Sequence, residues 1–262
     1  MLGAFVTGRS DVVVSTKVGL SPPVGPASGR AAVATVVRRL LPAALTERLR
    51  SAAHSSTQGR FSVPQVQASV ETSLRRLGGR VERLLLHEVL ADDITDDLLR
   101  LLDSYRQAGD VGAVGVATQN HQTLPALARG GDTFTVAHTA VGPLHDVVAL
   151  PEHVTTRVGH GLLGGGGSHL RGLQAVLDGD PAATDEWRRA TAGTPWTDLA
   201  SSLLGRAPGL GLTDVIVATT RPDKVADTIR LVGGNAMLPA TVRSALDDLT
   251  RRARSLALGV NT

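Results

Sequence analysis

Only two of the 27 basic residues in this 262-residue chain are lysines, Lys17 and Lys224. An ammonium is a compact point charge with a tunable pKa, which a guanidinium cannot imitate. Lys17 ends the β-branched run Val12-Val13-Val14-Ser15-Thr16. Lys224 follows a second such run, Asp214 to Thr219, across Thr220-Arg221-Pro222-Asp223, in the first turn of an expected helix. A lysine at a strand end suits proton or charge chemistry. At a helix start it suits a phosphate, which the helix dipole and free N–H groups also favour. Ordinary surface lysines are the alternative for both.

His87, His138 and His160 each fall at or near the C-terminal end of a strand-like run. Convergent histidines can hold a metal or act as acid and base. Barrel metal sites usually add carboxylates, and only Glu88 adjoins such an end, so no metal is expected. His138 and His160 read as polar lining of a substrate cavity. Gly164 to Gly167, followed by Ser168, could bring bare N–H groups to a pyrophosphate, but no lysine follows and a flexible loop is the favoured reading.

These residues need a frame. β-rich runs alternate with amphipathic helical patterns, the order of βα units on a parallel sheet. The runs are 11–17, 81–87, 113–117, 133–138, a weaker one at 154–158, and 214–219. Helical patterns cover 63–76, 95–107, 124–129, 197–204, 223–231 and 239–256. Ser62-Val63-Pro64 gives the first of these an N-cap and a proline in its first turn. The result is a single domain over 1–262, with about six of the eight βα units of a closed barrel. A loop-rich insertion lies around 21–60; its basic part, Arg38 to Arg60, could be a lid or simply a mobile loop.

Composition narrows the class. There is no cysteine, so disulfides, thiolate nucleophiles and Cys-type zinc sites are excluded. Net charge is only +3, and arginines interleave with acids along helices, so nucleic acid is not an expected partner despite a pI near 10.1. No apolar run approaches the roughly 20 residues of a membrane span. A cytoplasmic protein acting on a small molecule is expected. Aromatic residues are scarce, so the core should be Leu, Val and Ala.

Several segments, in order, resemble the aldo-keto reductase family. Ser15-Thr16-Lys17-Val18-Gly19 resembles its third-strand motif. Ser73-Leu74-Arg75-Arg76-Leu77-Gly78 with Arg83-Leu84-Leu85-Leu86-His87-Glu88 is similar to the helix and fourth strand that end in the active-site His. Ala108 to Val116 resembles the next turn and strand, and Val217 to Lys224 the last strand and cofactor-holding helix start. The sugar-dehydrogenase branch, of the galactose and fucose type, looks nearest.

The resemblance implies a TIM-type barrel that binds NADP(H) and reduces a carbonyl or oxidises an alcohol. It assigns Lys17 and His87 to catalysis, and Thr219, Thr220, Arg221, Lys224 and Thr118 to the cofactor. The family's Asp and Tyr precede the Lys strand, and the resemblance reads this chain as N-terminally truncated, starting too late to hold them. Whether Met1 is the true start stays open. The only tyrosine, Tyr105, leads into the opposite end of a strand. The family's Ser-Asn pair corresponds to Ala117-Thr118, its sixth-strand Gln to His138, and its Glu-Asn to Asp227-Thr228. Cofactor binding is therefore expected to be weakened or lost, and redox activity to be low. The alternatives are a cofactor-independent barrel enzyme (cyclase, dehydratase or isomerase) using Lys17 and His87 for proton transfer, or a non-catalytic homologue. Absent strands would leave sheet edges open, so a homo-oligomer, most simply a dimer, is expected.

Overall fold

The computed structural model describes residues 2–6, 8–19, 61–145, 147–218, 226, 228–230 and 237–257. The expected insertion at 21–60 lies outside the described residues. So do Thr219, Thr220, Arg221, Lys224 and Asp227.

Six parallel strands follow one another in the sheet in chain order: β1 (Ser15–Val18), β2 (Val81–His87), β3 (Val111–Ala117), β4 (Phe134–Ala140), β5 (Thr156–His160) and β6 (Asp214–Ile216). The helices are α1 (Leu2–Val6), α2 (Val63–Leu77), α3 (Asp96–Ala108), α4 (Asn120–Gly130), α5 (Ser168–Gly179), α6 (Pro181–Thr191), α7 (Leu199–Gly205) and α8 (Ala240–Ala257). This is the expected α/β architecture, an incomplete TIM-type barrel with six of the eight strands. The chain divides into two compact units, 1–136 and 137–262, the division falling within β4.

In the first unit β2 is the central strand. Thr16 stands beside Leu84, Lys17 beside Leu85, and Val18 beside Leu86. On the other side Leu84 pairs with Val114, Leu85 with Gly115 and His87 with Ala117. Thr16 Oγ1 donates to Ser73 Oγ on α2 at 3.4 Å, which fixes the helix-covered face. Thr16, Val18, Leu84, Leu86, Val114 and Val116 share that face, because side chains alternate along a strand. Ser15, Lys17, Arg83, Leu85, His87 and Ala117 share the other. Gly115 must be bare: a Cβ there would lie 1.8 Å from the Val136 carbonyl oxygen.

α2 and α3 have legible ends. Gly78 and Gly109 close them in the left-handed conformation, and the Thr95 hydroxyl accepts from Leu98 N–H at 3.2 Å.

In the second unit, α5, α6, α7 and α8 enclose an apolar core of Leu173, Val176, Leu203, Val242, Leu246 and their neighbours. Both tryptophans join it: Trp196 is 1% exposed and Trp187 6%. Trp196 packs on Gly205, where a Cβ would approach its ring to 2.4 Å. Apart from these two tryptophans the cluster is Leu, Val and Ala, as expected. Two helices, α5 and α6, were not expected from sequence. Among the described residues of 141–155 no helix joins β4 to β5; Arg254 instead holds that segment, donating to the Pro143 and His145 carbonyls at 2.7 and 2.9 Å.

Candidate active site

Lys17 is the penultimate residue of β1 and His87 the last of β2, so both lie at C-terminal strand ends, where parallel barrels build their sites. The register puts them on one face. Lys17 stands beside Leu85, and His87 is two residues further along. Strand spacing and rise separate such diagonal neighbours by roughly 8 Å, within reach of a lysine side chain. Gly19 permits the chain to turn away above them. Its φ is 109°, and a Cβ there would lie 3.2 Å from the His87 carbonyl oxygen and 2.4 Å from the ring of buried Phe61.

The pKa of Lys17 lies below that of an ordinary lysine. Desolvation disfavours its charged form, and the Glu88 carboxylate works in the opposite direction. Glu88 follows His87 directly and donates its backbone N–H to Ala117 O at 2.9 Å. In the sequence it is the one carboxylate beside a strand-end histidine and the last residue of the motif from Arg83.

Tyr105 sits on α3, and the N–H of Asp110, just before β3, bonds to its carbonyl at 3.1 Å. It is thus tied to the opposite strand end. Burial raises the pKa of its phenol, helped by Glu71 and Asp110. A proton donor tuned by a nearby ammonium would show the reverse shift.

Thr118 follows β3 and is 3% exposed, with its hydroxyl 3.0 Å from that of Thr123. Thr123 Oγ1 in turn donates to Gln119 O at 3.2 Å. Its proton is therefore committed, and Thr118 is the donor between the two. Thr118 keeps acceptor lone pairs only.

His138 on β4 is buried, 2% exposed, and His160 ends β5 half-buried; both lie at or close to C-terminal strand ends in the second unit. The glycine segment after β5 runs through tight turns into α5. Gly161, Gly164 and Gly167 take positive φ, a short 3₁₀ turn spans Gly165–Gly167, and α5 starts at Ser168. A Cβ on Gly165 would meet no atom within 4 Å. Within this turn the N–H groups of Gly164, Gly167 and Ser168 already donate, to the carbonyls of Gly161, Gly164 and Gly165. Among the described residues no group of three His, Asp or Glu side chains could hold a metal ion. No helix among them is long and apolar enough to cross a membrane.

No protein-family model matches the sequence, and no curated protein matches it. Solved structures do. An aldo-keto reductase from Bacillus halodurans, in its holo form, superposes with a TM-score of 0.59 at 16% identity, over 95% of this chain and 75% of that one. Its apo form gives 0.57 at 15% identity over the same shares. A glycerol dehydrogenase from Gluconobacter oxydans gives 0.54 at 16% identity, over 74% of this chain and 65% of that one. The resemblance carried by the strand-end motifs is thus borne out in the fold, and the chain has the architecture of the aldo-keto reductases.

Proposed function

We propose that this protein is an NADP(H)-dependent oxidoreductase of the aldo-keto reductase kind, acting on a carbonyl, alcohol or sugar-like small molecule. One observation carries the reading: Lys17 and His87 share a face at adjacent C-terminal strand ends. A fold likeness to a holo aldo-keto reductase supports it.

The described residues fit the cofactor in part. Thr118 Oγ1, an acceptor, suits the amide N–H of a carboxamide. Thr219, Thr220, Arg221 and Lys224 supply hydroxyls and charge for phosphates in this proposal. When bound, the nicotinamide supplies or accepts the hydride. The chain's own part is the oxygen: His87 orients it by a hydrogen bond and Lys17 stabilises negative charge on it. Tyr105 is tied to the opposite strand end, and His87 is the acid in this proposal.

Calorimetry with NADPH and NADH tests the reading. NADPH should bind more tightly, and His87→Ala should slow turnover with aldehydes and sugars, because losing a general acid costs about 10²- to 10⁴-fold. No affinity for either cofactor would overturn it.

A second reading has support in the lowered pKa of Lys17. A lysine that loses its proton more readily can serve as a base, with His87 as acid, in cofactor-independent proton transfer such as cyclisation, dehydration or isomerisation. Turnover abolished by Lys17→Met in the absence of nicotinamide would select this reading.

A further inference from the structure

Among the described residues Glu88 is the one non-glycine residue with left-handed backbone, φ 57°. Every other positive-φ position among them is glycine, the residue that takes this conformation without steric cost. Asn and Asp are tolerated there by local hydrogen bonding; a longer side chain is out of place. The conformation is held from both sides. The Glu88 N–H bonds to Ala117 O at 2.9 Å, and Val89 next to it is fully buried. A glycine would serve this turn better, so the carboxylate has another use. Strained backbone gathers at functional positions.

The charged and titratable groups on this face of β2 are Arg83, toward the strand start, and His87, with Glu88 just beyond the strand end. Lys17, on the neighbouring strand, lies between the levels of Arg83 and His87. We propose that Glu88 is the positioning carboxylate of this site, its left-handed backbone turning the side chain toward the Lys17 ammonium and holding that ammonium beside His87. The inference rests on Lys17 and His87 as the reacting pair, but its test needs neither substrate nor cofactor.

Because Lys17 and Lys224 are the only lysines, protein labelled with ¹³C-lysine gives two side-chain signals, and Lys17→Arg assigns them. Glu88 opposes the desolvation of Lys17. Removing its charge in Glu88→Gln should therefore lower the Lys17 pKa further, by about one pH unit for a close pair, with Lys224 unmoved. Glu88→Gly should lower it equally and also raise the melting temperature, since the strain goes with the side chain. A purely structural Glu88 would leave the titration unchanged. An unshifted Lys17 in both variants, or a Glu88→Gly protein less stable than the parent, overturns the proposal. Failure to bind NADPH while Lys17 shifts as expected would count against the redox reading alone.

Discussion

Thr118 and Thr123 join their hydroxyls at 3.0 Å in the buried turn after β3, with Thr118 the donor. Replacing one partner leaves the other facing an apolar group. Thr118→Val or Thr123→Val should each cost about 1 kcal/mol or more. The Thr118→Val/Thr123→Val double variant should cost less than the sum of the two, because both ends of the bond vanish together. Urea unfolding of the four proteins checks this; additive losses would show that the contact is weak.

That turn also shows what the sequence could and could not reveal. β2 matches the expected 81–87 run, because its buried leucines and flanking glycines mark it without help from tertiary packing. β1 is shorter than the expected 11–17. The Val14 carbonyl accepts from both Glu82 and Arg83 N–H, and the Val14 N–H turns to the Glu82 carboxylate at 2.8 Å, so the regular ladder starts only at Ser15. α4 starts at Asn120, earlier than the expected 124, and carries Pro125 inside it. α5 and α6 were missed although a signal was present. Asp180-Pro181 is an N-cap followed by proline, and Asp180 accepts from both Ala182 and Ala183 N–H. The strand-end positions of Lys17 and His87 were legible because strand ends are local features. The left-handed backbone of Glu88 was not, because a φ cannot be read from residue spacing.

The phosphate end of the proposed cofactor site makes a sharper demand. If Arg221 and Lys224 hold a 2′-phosphate, Lys224→Ala should erase most of the preference for NADPH over NADH. A charge-assisted hydrogen bond contributes about 1.5–3 kcal/mol, or roughly ten- to a hundredfold in affinity. Equal loss for both cofactors would move Lys224 away from that phosphate.

Acid should loosen the second unit through Asp180. Its pKa is held low first by the Ala183 N–H, then by the Ala182 N–H and Arg252, whose Nη1 lies 2.5 Å away. Arg252 also bonds Asp248 and lies 3.8 Å from Glu186, so three carboxylates meet this guanidinium. A carboxylate whose folded pKa is below its unfolded value stabilises the fold above the unfolded value, near about 3.9. That contribution fades as pH falls through the folded pKa. The urea midpoint should therefore drop on acidification below about pH 4, and by less in Asp180→Asn, which keeps a capping oxygen without the titration. Equal acid sensitivity in both proteins would assign the effect to other carboxylates.

The outer strands make the last demand. In the described sheet β1 is bonded only to β2, and β6 only to β5. An unpaired strand edge is a template for another chain unless charge, proline or a covering element blunts it. The apolar residues there are uncovered: Val13 is 54% exposed, Ile216 42% and Val217 37%. An apolar cavity of about 410 Å³ adjoins β6, lined by Leu204, Leu212, Val215, Val217 and Ile229. The residues on and beside β6 carry charge only at Asp214, and neither strand contains proline. A homodimer that buries these edges is predicted, most simply one with two-fold symmetry. Light scattering across a dilution series should show dimers dissociating at low concentration, and Val217→Lys should shift the transition to higher protein concentration. A protein that stays monomeric and folded at every concentration would rule the dimer out.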